Sequence, residues 1–77
     1  MSKLSDILNE IFRVKENDYT DATELMQFKE WDSMAHMLFI TRIEEDYAIQ
    51  LTGDEIAMMR TVGQLKEVLK KHGVQEL

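Results

Sequence analysis

The stretch Glu30-Trp31-Asp32-Ser33-Met34 marks the point where an irregular segment ends and the most apolar helix of the chain begins. Asp32 and Ser33 are both good helix N-caps, so the local chemistry predicts a helix start here. A serine in this position has its hydroxyl beside free backbone N–H groups and the positive end of the helix dipole. Such a position would favour an attached phosphate electrostatically. We therefore interpret the rest of the chain as a small scaffold that holds Ser33 out to solvent.

The helix that follows is predicted to run from Ser33 to Asp46 or Tyr47, and it carries two stripes. At about 100° per residue, one face presents His36, Phe39, Ile40, Ile43 and Tyr47. The nearly opposite face presents Met34, Met37, Leu38, Thr41 and Glu45. The first stripe stays apolar or aromatic to the helix end, so it is the core candidate. The second stripe is either an adaptable contact surface close to Ser33 or a surface that the preceding loop covers, and the sequence leaves both interpretations open.

Before this helix, the sequence predicts one further helix and a long irregular connection. The helix should run from about Ser2, its N-cap, to Val14, because apolar residues recur at helical spacing: Leu4, Ile7, Leu8, Ile11 and Phe12. Residues 15–32 show no sustained period, and a connection of this length must be held to the core somewhere. The expected anchors are its apolar and aromatic side chains, Tyr19, Leu25, Met26 and Phe28. A short helical turn over residues 22–27 would fit.

Two capping boxes organise the remainder of the chain. Thr52 with Glu55 predicts a short helix that ends at Met58 or Met59, and Ile49 and Leu51 before it should plug the core. Thr61 with Gln64 predicts a last helix from Val62 to about His72, which Gly73 ends. Its buried stripe should be Val62, Leu65, Val68 and Leu69. The predicted fold class is all-α: a small irregular four-helix bundle of three longer helices and one short helix, with the long connection between the first two.

Size and composition exclude several classes of protein. Residues 1–77 are expected to form one domain, and a chain this short has neither a deep pocket nor an acid–base constellation, so we predict no enzyme. Cysteine is absent, and His36 and His72 are not spaced as a ligand set, so no metal site is predicted. No segment is apolar enough for a signal peptide or a membrane span, which predicts a cytoplasmic protein.

The charge balance indicates the kind of partner. The chain has 15 Asp and Glu residues against 9 Lys and Arg residues, for a net charge of −6. This balance argues against nucleic acid and anionic membranes and favours partners with basic surfaces. Glu44, Glu45 and Asp46 close the second long helix, where acidic side chains oppose the helix dipole. They are either a solvated end or a docking patch. The protein is expected to be a monomer.

The helix plan and the exposed Asp32-Ser33-Met34 together resemble the acyl carrier proteins and related peptidyl carrier domains over essentially the whole chain. The family usually has Asp-Ser-Leu, and methionine for leucine conserves volume. The resemblance continues at family spacing through Phe39, Ile40, Ile43, Glu44, Glu45, Tyr47, Leu51, Thr52, Glu55, Thr61 and Val62. It implies that a separate phosphopantetheinyl transferase moves 4′-phosphopantetheine from coenzyme A onto the Ser33 hydroxyl, using Mg²⁺. The thiol of that arm would then carry an acyl or aminoacyl group as a thioester.

The departures from the family pattern point to a discrete, specialised carrier. Glu30 and Trp31 precede Asp32 where a glycine and a small residue are usual, and Ala35 and Leu38 stand at positions that are often acidic in fatty-acid carriers. D-alanyl carrier proteins share Asp-Ser-Met. The resemblance therefore implies a specialised biosynthetic pathway, not bulk fatty-acid synthesis.

Further roles follow from the resemblance. Asp32 and His36 are candidate contacts of the arm. His36 is alternatively a histidine at the edge of the core, and Trp31 most simply staples the loop to the helix. The expected docking residues are Met34, Met37, Leu38, Glu44 and Glu45, and the expected partners are a loading enzyme and a downstream transferase or synthase. The alternative function is a helical interaction module that has no covalent arm.

Overall fold

The computed structural model describes residues 3–75 of the chain. Within this range four α-helices follow one another: α1 Lys3–Phe12, α2 Ser33–Tyr47, α3 Gly53–Met58 and α4 Val62–Lys71. The connection between α1 and α2 contains two short 3₁₀ turns, Glu16–Asp18 and Leu25–Gln27. The predicted all-α bundle of three longer helices and one short helix, with the long connection between the first two, is confirmed.

The predicted helix boundaries agree with the structure except at α1. This helix ends at Phe12 and not at Val14, because Arg13 takes a left-handed conformation with φ of 59°. A non-glycine residue rarely adopts that conformation, and it interrupts the helical path. The expected N-cap of α1, Ser2, lies outside the described residues.

One apolar core joins α1, α2, α4 and the long connection. Its buried side chains are Leu4, Ile7, Leu8, Phe12, Leu25, Phe28, Phe39, Ile40, Ile43, Met59, Val62, Leu65, Val68 and Leu69. The Phe12 ring centroid lies 5.3 Å from the centroids of both Phe28 and Phe39, so three elements meet in one aromatic cluster. Each fully buried side chain of this size contributes about 1.5–3 kcal/mol. The core stripe predicted for α4 is confirmed, and that of α2 is confirmed in its middle, whereas His36 and Tyr47 at its two ends are only half-buried.

The long connection is anchored to the core and to the start of α4. Leu25 and Phe28 are buried, and Tyr19 packs edge-on against Phe28, as predicted. Met26, however, is 64% exposed, so its predicted role as an anchor is wrong. Leu25 points into the core from a 3₁₀ turn of about three residues per turn, which leaves the next side chain facing solvent.

Backbone hydrogen bonds pair this connection with the residues that begin α4. The Leu25 amide donates to the Arg60 carbonyl at 2.9 Å, and the Val62 amide donates to the Thr23 carbonyl at 3.0 Å. The Gly63 amide donates to the Asp21 carbonyl at 2.9 Å. A Cβ on Gly63 would lie only 3.0 Å from that carbonyl oxygen, so a side chain here would force the Asp21 backbone to move by a few tenths of an ångström.

The helix termini after α2 carry the predicted caps. Thr52 and Thr61 each accept a hydrogen bond from the amide three residues on, at 3.1 Å. Gly73 ends α4 with φ of 87°, and its amide donates to Lys70 while the Val74 amide donates to Leu69, which is a Schellman motif. Residues Ile49 and Leu51 are half-buried against the core, as expected of plugging residues. None of the residues of α3 is fully buried, so this short helix adds no fully buried side chain to the core.

Candidate functional site

The start of α2 is built by Asp32, which takes the N-cap role. Its backbone is extended, with φ of −152°, and its Oδ1 accepts a hydrogen bond from the Ala35 amide at 2.7 Å. Its carbonyl accepts the first bond of the helix, from the His36 amide at 2.9 Å. Ser33 is therefore the first residue of α2 and not its cap. Because Asp32 caps the helix, the Ser33 side chain is not needed as a cap, and it is exposed at the surface.

The surroundings of Ser33 suit an attached phosphate. The first amides of a helix have no acceptor within the helix, and of these Asp32 satisfies only the amide of Ala35. The amides of Ser33 and Met34 remain at the positive end of the α2 dipole, where an anion is favoured. The Asp32 carboxylate adds a negative charge nearby, but that charge is already engaged with a helix amide. A primary hydroxyl, open to solvent beside two available amides, fits a phosphodiester.

Trp31 and His36 form a pair at the base of this helix start. The Trp31 Nε1–H donates to His36 Nδ1 at 3.4 Å, and the ring centroids lie 6.0 Å apart. Burial lowers the pKa of His36 below its usual value, which favours the neutral ring whose Nδ1 accepts. Both rings are half-buried at the edge of the core. This arrangement agrees with the interpretation of His36 as an edge-of-core histidine and of Trp31 as a staple.

The second stripe of α2 is open to solvent. Met34 is 75% exposed, Met37 is 62% exposed and Leu38 is 57% exposed. We call these three residues the methionine face. They occupy helical positions i, i+3 and i+4 and therefore form one patch. Of the two interpretations that the sequence left open, the structure supports the exposed surface, because each of the three side chains is more than half exposed.

The acidic end of α2 is partly engaged within the chain. The Glu44 Oε2 accepts from the Leu51 amide at 2.8 Å, which fixes the segment that leads into α3. Asp46 pairs with Arg42 at 2.9 Å, and Arg42 also pairs with Glu10 of α1. These bonds raise the pKa of Arg42, the hydrogen bond to Asp46 most of all. Glu45, by contrast, is exposed. The sequence carried one local signal of this difference, since Arg42 lies four residues before Asp46 and can pair with it on one helix face.

A second polar contact holds α3 against α4. His72 Nε2 and Glu55 Oε2 are 2.8 Å apart, and Glu55 Oε1 accepts from the Thr52 amide at 3.0 Å. The pKa of Glu55 is lowered, chiefly by the hydrogen bond from the Thr52 backbone and further by His72. The sequence predicted the capping box but not the histidine contact, because only helix packing brings residues 55 and 72 together.

Within residues 3–75, no group of three or more His, Cys, Asp and Glu side chains is arranged to hold a metal ion. His36 and His72 lie in separate pairs, with Trp31 and with Glu55. The same part of the chain contains no helix that is long and apolar enough to cross a membrane.

A family model described as a phosphopantetheine attachment site matches residues 2–69. The chain belongs to the acyl carrier protein family. The acyl carrier protein of Lactobacillus acidophilus is 27% identical to this carrier over 71 residues, which cover 92% of this chain and 89% of that protein. This carrier protein therefore bears a covalently attached 4′-phosphopantetheine group, and it is a carrier and not an enzyme. Its partners include a phosphopantetheinyl transferase and acyl-handling enzymes. An interaction module without an arm is accordingly the weaker interpretation.

Proposed function

We propose that Ser33 is the attachment residue and that the protein carries acyl or aminoacyl groups in a specialised biosynthetic pathway. The observation that carries this proposal is the exposed hydroxyl of Ser33 on the first turn of α2, directly after the Asp32 cap. Three features that favour an attached phosphate meet at Ser33: its hydroxyl, the free amides of the first turn and the positive end of the helix dipole.

The chain's own residues supply position and charge, not chemistry. In the loading step the Ser33 Oγ forms a bond to the β-phosphorus of coenzyme A, the pyrophosphate bond breaks, and adenosine 3′,5′-bisphosphate leaves. The hydroxyl proton goes to a base of the transferase, because no hydrogen bond in the described part of the chain joins the Ser33 hydroxyl to a base, and the adjacent Asp32 carboxylate accepts from the Ala35 amide. The arm, once attached, supplies a thiol that holds the cargo as a thioester. The amides of Ser33 and Met34, at the positive end of the α2 dipole, would stabilise the negative charge of the attached phosphate.

We assign partner docking to the methionine face together with Glu44 and Glu45. Exposed methionine and leucine side chains adapt to apolar recesses of different shapes. The two glutamates would steer basic partner surfaces, with Glu45 the freer of the two, since Glu44 also accepts from the Leu51 amide.

The test of the docking charges is a double variant, Glu44→Gln with Glu45→Gln. Glutamine can still accept from the Leu51 amide, so the fold is retained while the charge is removed. We expect a higher KM for the transferase at low salt, with the difference from wild type shrinking as salt rises. Glu67→Gln, which removes an exposed charge on α4, is the matched control. KM values equal to that of wild type for both variants would show that Glu44 and Glu45 do not steer the transferase.

The specialised pathway is proposed from three side chains. Trp31 stands before Asp32 where a small residue is usual, and Ala35 and Leu38 leave the middle of α2 without the acidic charges expected of fatty-acid carriers. Mass analysis of the arm-bearing peptide, from cells that make the protein naturally, tests this part. A single short acyl or aminoacyl group would support it, and a ladder of long fatty acyl chains would contradict it. The cytoplasmic location and the monomeric state stay predictions.

Intact mass tests the attachment residue. The protein is incubated with coenzyme A, Mg²⁺ and a permissive transferase, beside Ser33→Ala and the control Thr41→Ala, which removes another exposed hydroxyl of α2. Wild type and Thr41→Ala should each gain one phosphopantetheine, and Ser33→Ala should gain none while its circular dichroism stays helical. Modification of Ser33→Ala would contradict the proposal, as would unmodified wild type with two unrelated transferases.

A further inference from the structure

The sulfur atoms of this protein all belong to methionines. The chain has six methionines and no cysteine. Four of the five methionines that the structure describes are more than half exposed: Met26 at 64%, Met34 at 75%, Met37 at 62% and Met58 at 54%. The fifth, Met59, is only 1% exposed and lies in the core. The five described thioethers therefore fall into two classes, four that a dissolved oxidant can reach in the folded protein and one that it cannot.

Two of the exposed thioethers belong to the surface beside Ser33. Met34 directly follows Ser33, and Met37 lies one helical turn further along the same methionine face. The opposite face of α2 is anchored by Phe39, Ile40 and Ile43, all buried. A polar group added to Met34 or Met37 would therefore change the surface without entering the core.

We propose that Met34 and Met37 are sites of reversible oxidation, and that their conversion to sulfoxides weakens partner docking at the methionine face. The docking part rests on the proposed function, whereas the oxidation pattern does not. The oxidant is a peroxide. Its O–O bond breaks, one oxygen forms the S=O bond of the sulfoxide, and with hydrogen peroxide the other oxygen leaves as water. The sulfur loses two electrons, and the peroxide gains them.

The physical consequence is a change from an apolar to a polar surface. A thioether side chain packs into apolar recesses, whereas a sulfoxide is polar and must keep a hydrogen-bond partner when it is buried. Methionine sulfoxide reductases remove the oxygen, so the change can be reversed.

The first measurement is the oxidation pattern. The folded protein is treated with limiting hydrogen peroxide, digested and mapped by mass spectrometry. Met34 and Met37 should be oxidised many times faster than Met59, and in denaturant the three rates should converge. Similar rates for all three residues in the folded protein would overturn the assignment.

The second measurement is the kcat/KM of the transferase for the folded, peroxide-treated protein. We expect a fall of about tenfold, equivalent to about 1.4 kcal/mol of lost contact, and recovery after reductase treatment. Each variant is compared with itself before and after peroxide. Met34→Leu with Met37→Leu should lose the sensitivity, and Met26→Leu with Met58→Leu should keep it. If the untreated wild type is not loaded at Ser33, the proposed function is wrong, and the proposed effect of oxidation on docking is wrong with it. Normal loading that is insensitive to peroxide would leave the proposed function standing and would overturn only the proposed effect of oxidation on docking.

Discussion

The first turns of α2 and α4 are capped in the same way, but they lie in opposite surroundings. Asp32 caps α2 and Thr61 caps α4, and each accepts a hydrogen bond from the amide three residues on. The start of α4 is sealed, since Val62 is fully buried and the backbone of Gly63 lies against Asp21. The start of α2 is open, with Ser33 and Met34 exposed. Capping thus makes a helix end stable, but tertiary contacts decide whether that end is available to a ligand.

The largest effect is expected from breaking the sealed start. Gly63→Val places a branched side chain where even a Cβ would be 3.0 Å from the Asp21 carbonyl and 3.2 Å from its Cβ. Relieving such overpacking costs about 1–3 kcal/mol, so the free energy of unfolding in urea should fall by about 2 kcal/mol. Gly53→Val is the matched control, because a Cβ at Gly53 meets no atom within 4 Å. Equal losses in both variants would contradict the close-approach argument.

The cap of the open start should have the next largest effect. Asp32→Ala removes the acceptor for the Ala35 amide and should lower the free energy of unfolding by about 1 kcal/mol, whereas Asp32→Asn should keep most of it. Ser33→Ala should change stability by less than about 0.5 kcal/mol, because Ser33 does not cap the helix. Urea unfolding of the three variants separates these roles. A loss for Ser33→Ala as large as that for Asp32→Ala would mean that the serine is chiefly structural.

The opposite ends of the two helices sharpen the comparison. Both pass through a left-handed residue, but α4 uses Gly73 with φ of 87° and α2 uses Ala48 with φ of 55°. A Cβ is disfavoured in this conformation, so Ala48→Gly should raise the free energy of unfolding by roughly 0.5–1 kcal/mol. Gly73→Ala should lower it by a similar amount. The thermal midpoints of both variants check the two signs, and a lower midpoint for Ala48→Gly would contradict the argument.

The smallest effect concerns the contact between α3 and the end of α4. Because the pKa of Glu55 is lowered in the folded protein, its contribution to stability is fully present above its ordinary pKa of 4.5 and is lost as the pH falls through the lower folded value. Wild type should therefore lose stability in acid more steeply than Glu55→Gln, which keeps an acceptor for the Thr52 amide. Urea midpoints measured from neutral to acid pH test this. Parallel profiles would mean that the charge of Glu55, in its contacts with the Thr52 amide and with His72, adds nothing measurable.

Much of this fold could be predicted from local signals. The boundaries of α2 and α3, both threonine capping boxes and the glycine end of α4 were predicted correctly, because caps and apolar periodicity act within a few residues. The early end of α1 was missed, since nothing in the residues around Arg13 requires a left-handed conformation. Met26 was misassigned because its apolar character says nothing about which side of a 3₁₀ turn faces the core.

The features of the candidate site likewise divide into those set by neighbouring residues and those set by tertiary contacts. The sequence by itself determined that a helix begins beside Ser33, that Asp32 can cap it and that α2 has two distinct faces, because these are properties of neighbouring residues along one chain segment. Only the tertiary structure decided that the methionine face is uncovered, that Glu44 holds the Leu51 amide while Glu45 does not, and that Asp21 crowds any side chain at position 63. These outcomes depend on contacts between segments far apart in the sequence, and such contacts are set by how the helices pack.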